Sequence, residues 1–226
     1  MKKKIMIILS CIVFLCGISV LFYPAVRNQI YNKEVETQFN DFEEKYSNEN
    51  TQALYEYMKA YNENLFKNHQ NTLVDPFSYT QNKIDLSEYG IDDGIVGYIT
   101  ISKMNISLPI LLGASEKNML HGATHLTETS YPIGGENTNC VIAAHRGTTI
   151  VMFRNIQLLE VGDKVEIRNF CETLDYEVSE IEIINPTDVD KLLIREGEDM
   201  VTLITCHPYR SNAQRYVVFC KRVTNS

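Results

Sequence analysis

The apolar and polar positions of this chain change their period three times. An uncharged run extends from Ile5 to Tyr23, long enough to cross a bilayer as one helix, which takes about 20 residues. From Arg27 to about Asn71 the apolar residues recur every three or four positions: Val35, Phe39, Phe42 and Tyr46, then Leu54, Tyr57, Met58, Tyr61 and Leu65. That spacing predicts two helices, each with one buried face. The polar stretch Ser47-Asn48-Glu49-Asn50-Thr51 separates them and offers N-caps for the second. The heptad is not sustained, so the helices are expected to pack on the C-terminal part of the chain rather than form a free coiled coil.

From Leu73 to Gly94 no period holds, and turn residues dominate (Asp75-Pro76, Ser78, Asn82, Gly90, Asp92-Asp93-Gly94). An irregular segment of that length inside a compact protein commonly serves as a lid or binding loop. After Ile95 the pattern becomes that of strands: Gly97–Ile101, Ile106–Leu111, Cys140–Ala144, Lys164–Arg168, Leu174–Ile184, Met200–Cys206 and Arg215–Lys221, separated by Gly, Pro, Asn and Asp. Met152 to Leu159 reads as one or two helical turns. The fold expected is mainly β: a closed or nearly closed barrel of seven to eight short strands, preceded by helices and a transmembrane helix. The corresponding segments are 1–26, the cytoplasmic tip and anchor; 27–72, helical; 73–94, the lid loop; and 95–226, the barrel. No internal repeat or low-complexity tract is present.

Charge orients the N-terminus. Lys2-Lys3-Lys4 precede the apolar run, which favours a cytoplasmic start by the positive-inside rule. The run ends in Phe22-Tyr23-Pro24, an aromatic interface followed by a helix breaker, without a small-x-small cleavage site. It therefore reads as an uncleaved signal anchor, with everything after Arg27 outside the cell. The chain's formal −8 becomes −11 once those three lysines are set aside. So acidic a domain has no electrostatic footprint for nucleic acid and no polybasic patch for anionic lipid. Attachment is expected from the helix alone.

The six cysteines do not make a disulfide framework. Cys11 and Cys16 lie in the span, and Cys140 and Cys220 sit in apolar strand contexts that suit small buried hydrophobes. Cys171 lies in a turn, where a bridge stays open. No CxxC occurs, which argues against structural zinc. Cys206 is different, because it closes the buried strand Val201-Thr202-Leu203-Ile204-Thr205-Cys206, nine residues before Arg215. A thiol needs a cationic neighbourhood to ionise at neutral pH. His145 and Arg215, brought to one barrel mouth, would supply it and would stabilise an oxyanion.

Several segments resemble the sortases, specifically the pilin-polymerising class C. They are Gly122-Ala123-Thr124-His125-Leu126, Ser130-Tyr131-Pro132-Ile133-Gly134-Gly135-Glu136-Asn137, Ala143-Ala144-His145-Arg146-Gly147, and Thr202–Cys206 with Pro208-Tyr209 and Asn212. The last carries the family's TLxTC signature, and the short step from Cys206 to Arg215 fits class C better than classes with longer loops there. The resemblance implies a sortase-type barrel with Cys206 as nucleophile, His145 as general acid and base, and Arg215 as oxyanion stabiliser, and no cofactor or metal. It also implies a lid in which Asp75 pairs with Arg215 and Phe77 covers the Cys206 sulfur. The substrates implied are pilin or surface proteins with an LPxTG-like sorting signal, joined to a pilin lysine or to a peptidoglycan amine.

Three positions depart from class C: His207 stands where a small residue is common, Arg210 where a glycine is expected, and Gln214 where a histidine is common. They flank the site and so bear on substrate preference more than on chemistry. The chain also reaches Ser226 without the second membrane segment that many class C enzymes carry. His121 and His125, a His-x-x-x-His pair without a third ligand, read as structural, as does Arg146. His207 should point away from the thiol, because adjacent strand residues face opposite sides. A hydrolytic cysteine protease and a non-enzymatic adhesion module are the competing readings.

Overall fold

A computed structural model describes residues 2–48, 51–68, 70, 73–80, 85–147 and 149–223. Helix α1 (Lys2–Asn48) runs unbroken through Pro24. The sequence reads Pro24 as a helix breaker, but one proline removes a single N–H from the ladder. The helix on its far side is held by the barrel. Phe39 and Phe42 set their edges against Tyr98 at 5.0 and 5.3 Å between ring centres, and Glu43 pairs with Arg168. Asn28 accepts from the Val151 N–H at 2.9 Å. The apolar residues before Pro24 are exposed, Ile5, Phe14 and Leu21 among them, and this stretch is long and apolar enough to cross a membrane.

Helix α2 (Gln52–Lys67) buries Leu54, Met58 and Leu65, the periodic face. Of the capping candidates, Thr51 is the N-cap and makes no side-chain bond there; Glu49 and Asn50 lie outside the described residues. Buried Asn62 takes the Tyr131 N–H at 2.8 Å and so fastens α2 to the segment 130–137.

Eight strands close the barrel: β1 (Ile95–Ile101), β2 (Ile106–Leu112), β3 (Ala123–His125), β4 (Thr138–Ala143), β5 (Lys164–Asn169), β6 (Thr173–Ile184), β7 (Asp199–His207) and β8 (Gln214–Arg222). Their order is β1-β2-β3-β4-β7-β8-β6-β5, with β5 returning to β1. At that closure a Cβ on Gly97 would lie 2.6 Å from the Arg168 carbonyl oxygen, so the seam requires glycine. The seven expected strands are all present. β3 is the addition, three residues too short to show a period. Between Met152 and Leu159 the helical turn reduces to a 3₁₀ turn at Ile156–Leu158.

Residues from all eight strands meet in the larger core, which fills the barrel. A smaller core lies on the other face of β4, β7 and β8. Val201 and Leu203 point into the first, Met200 and Ile204 into the second. Both faces of β7 are thus buried, which is why its sequence reads as a continuous apolar run rather than an alternation.

Candidate active site

Cross-strand register places the first two residues of the site. β7 and β8 form an antiparallel hairpin in which Cys206 is the direct partner of Arg215. Facing residues of such a pair project from the same side, with Cβ atoms about 5 Å apart. The third comes from the parallel pairing of β4 with β7, where Ala143 faces Ile204. The Thr205 hydroxyl donates to the Ala144 carbonyl at 2.6 Å and carries that alignment past the strand's end. One residue further, His145 comes level with Cys206. Parity agrees: Val141 and Ala143, Ile204, and Val217 and Phe219 all belong to the smaller core. His145, Cys206 and Arg215 therefore emerge from one face.

The segment expected to act as a lid packs at that face. Leu73 is buried in the smaller core and Phe77 packs against it. Asp75 precedes a 3₁₀ turn, Pro76–Ser78, whose first position suits proline. Asp75 grips Arg215 with both oxygens, at 2.7 Å to Nε and 2.8 Å to NH2. Arg215 NH1 donates to the carbonyls of Asn212 and Gln214, both at 2.9 Å. Its guanidinium is 4.9 Å from the Phe77 ring centre, and the His145 ring is 6.3 Å from the same ring. Phe77 is thus wedged between the two groups that flank Cys206. Of the lid loop, residues 81–84 lie outside the described residues.

This closed arrangement suppresses ionisation. Burial pushes the Cys206 thiol up, and the Asp75 carboxylate adds to that against the opposing pull of Arg215 and Arg146. Burial pushes the His145 imidazole down, countered by Glu116. Burial also works against the charge of Arg215, but its bonds to Asp75 outweigh that and its pKa is raised. In this arrangement burial disfavours the charged forms of both Cys206 and His145, and Arg215, paired with Asp75, offsets only part of that for the thiol.

Arg146 does more than fill space. NH1 donates to the carbonyl of Cys206 itself at 3.3 Å and meets His207 Nδ1 at 3.1 Å, while NH2 donates to Gln157 at 2.9 Å. The guanidinium lies over the Tyr216 ring. His207 therefore turns from the thiol, as strand alternation requires, and serves Arg146. Adjacency to His145 was the one sign in the sequence of this role. Glu116, which acts on His145, gave none.

His125 is buried, stacked on Tyr131 and bonded to the carbonyls of Thr129 and Ser130. His121 bonds the Lys117 carbonyl. All six cysteines are free. Cys140 and Cys220 are buried thiols, and Cys171 meets the Thr51 hydroxyl at 3.7 Å. Among the described residues no group of three potential metal ligands occurs.

The sortase domain family matches residues 99–223. Sortase D of Bacillus subtilis is 31% identical over 131 residues, 57% of this chain; the match spans 64% of that protein's length. Sortase A of Bacillus anthracis is 27% identical over 68% of this chain and 72% of its own length. A solved structure of Streptococcus agalactiae sortase C1 superposes with a TM-score of 0.76 at 32% identity, covering 83% of this chain and 98% of that one. Sortase C-1 of Streptococcus pneumoniae gives 0.75 at 32% identity, over 84% of this chain and all of its own. The family match covers more than half of the residues and contains both the Cys206–Arg215 hairpin and the β4–β7 pairing, and the chain belongs to the sortase family.

Proposed function

We propose that this protein is a class C sortase: a membrane-anchored cysteine transpeptidase that cleaves an LPxTG-like sorting signal and joins it to a pilin lysine. One observation carries the reading. Cys206 and Arg215 are register partners beside His145, under a segment that locks Arg215 through Asp75. The solved sortase C structures, one of them described as pilus-related, support it.

The chemistry follows from the groups present. Once the lid lifts, His145 takes the thiol proton and the Cys206 sulfur attacks the Thr–Gly carbonyl. Arg215, released from Asp75, faces the oxyanion with a fixed planar fork, which suits a tetrahedral intermediate better than a lysine would. His145 returns the proton to the departing glycine amine, leaving a thioester on Cys206. The incoming lysine amine attacks that thioester, gives a proton to His145, and the thiolate leaves. α1 anchors the barrel on the outer face of the membrane through residues 1–26.

Incubating the full-length protein with an LPxTG-like peptide and a lysine-bearing pilin tests the assignment. An amide product supports it. Free acid alone would mark a hydrolytic protease, and a product formed only with a peptidoglycan amine would mark an anchoring sortase.

The lid gives a separate expectation. Asp75→Ala removes the carboxylate that disfavours the thiolate and frees the Arg215 charge. The pH midpoint for alkylation of Cys206 should move down, and labelling at neutral pH should rise severalfold. Phe77→Ala should raise the rate by exposure without the same shift of midpoint. Unchanged labelling in both variants would remove the lid from the mechanism.

A further inference from the structure

The continuity of α1 fixes the height of the barrel above the bilayer. This inference rests on the reading of α1 as a membrane anchor. The run from Ile5 to Tyr23 matches a hydrocarbon core about 30 Å thick, and the headgroup layer adds roughly 5–8 Å on each side. At about 1.5 Å of rise per residue, Asn28 stands about 8 Å beyond Tyr23 and Tyr31 about 12 Å. The helix docks on the barrel at these two residues. Asn28 bonds the Thr149 carbonyl at 3.4 Å and the Val151 N–H at 2.9 Å. The Tyr31 hydroxyl donates to the His121 carbonyl at 2.8 Å. The barrel is therefore not held out on a stalk: Asn28 stands at the outer edge of the headgroup layer and Tyr31 only a few ångström above it.

The surface at that level suits a lipid interface. Leu120, next to His121 at the end of the short helix α3 (Glu116–Met119), is 53% exposed, and Val26 and Ile30 on α1 are exposed as well. A cleft of about 750 Å³ between α1 and the barrel is lined by Tyr23, Arg27, Lys117, Leu120 and His121 at this end. Its acidic lining from α1, Glu34 and Asp41, lies about 16 and 27 Å from Tyr23. Arg27 thus stands in the headgroup layer with Leu120 and Lys117 at its outer edge, and the α1 carboxylates Glu34 and Asp41 stand clear of it, while Glu116 lies beside Lys117. Outer-leaflet phospholipid, with phosphate above and acyl chain below, is the occupant this gradient fits.

We propose that the corner formed by Leu120, Lys117 and Arg27 rests in the headgroup layer of the outer leaflet and holds the barrel upright on the membrane. His145 precedes Thr149 by four residues, at most about 14 Å of extended chain. The contact therefore keeps the reacting groups within roughly 25 Å of the acyl chains.

The chain contains no tryptophan, so single-tryptophan variants report depth without interference. Phe14→Trp marks the span, Leu120→Trp the corner, and Ser47→Trp a point about 36 Å up the helix from Tyr23. Each full-length variant is placed in nanodiscs whose lipids are brominated near the top of the acyl chains. Leu120→Trp is expected to show blue-shifted emission and to lose about half its intensity, the behaviour of a side chain at the headgroup–acyl boundary. Phe14→Trp should also be quenched, and Ser47→Trp should not. Quenching of Phe14→Trp alone would overturn the corner contact while leaving the anchor intact. An unquenched Phe14→Trp would overturn the anchor and the proposal with it. Equal quenching at Ser47 and Leu120 would also overturn the proposal, since the barrel would then lie flat.

Discussion

Full-length protein carrying Cys206→Ala is expected to form no product, a loss on the order of 10⁴-fold or more, because no other group can carry the acyl chain. The described geometry leaves no substitute. Cys140 and Cys220 are fully buried in the barrel wall, where burial drives their thiols well above the usual range. Cys171 is on the surface beside Thr51, away from β7. Mass spectrometry of the intact protein after exposure to an LPxTG-like peptide separates the alternatives. Wild type should carry a mass increase equal to the acyl fragment, and Cys206→Ala none. His145→Ala should also fail to turn over, but its thiol should remain open to alkylation, since the base and not the sulfur is lost. Residual turnover in Cys206→Ala would assign the chemistry elsewhere.

Arg215→Ala should lower turnover by about 10²–10³-fold, the usual cost of removing one oxyanion donor. Arg215→Lys should recover little of it. The guanidinium makes four bonds in one plane, two to Asp75 and two to carbonyls of its own hairpin, and an ammonium on a flexible stem cannot reproduce that fork. The same variant tests the lid. In wild type, Asp75→Ala should accelerate alkylation of Cys206 both by freeing the Arg215 charge and by removing the carboxylate's own repulsion of the thiolate; in an Arg215→Ala background only the second part should remain. Such non-additivity is the signature of a direct pair. Additive effects would mean that Asp75 acts on the thiol through its own charge alone and not by holding Arg215. The pair is nearly buried, with side-chain exposures of 5% and 15%. Breaking it inside a closed site would cost several kcal/mol, but a lid that lifts returns Asp75 to water and escapes most of that penalty.

Particular elements show where sequence reading ends. The apolar run at the N-terminus and the helical spacing from Val35 to Leu65 are local patterns, and both became helices. Pro24 misled, because its effect depends on what holds the helix beyond it, and that is the barrel. β3 escaped because three residues carry no period; it exists through its pairing with β2 and β4. Phe77 lies near both His145 and Arg215, a position set by how its segment packs on the smaller core. Glu116 stands in a stretch without pattern, and its effect on His145 arises only through space.

Composition and spacing alone determined a start long and apolar enough to cross a membrane, a β domain behind two helices, and a cysteine, a histidine and an arginine in family-specific motifs. The hairpin step from Cys206 to Arg215 was also local enough to read, since nine residues with a short turn nearly dictate the register. Only the tertiary structure decided that β4 lies parallel to β7, which brings His145 level with Cys206 from far upstream. It alone also decided that burial pushes the Cys206 thiol up. Ionisation depends on burial and on which charges are already paired, and neither is a property of a residue's neighbours in the chain.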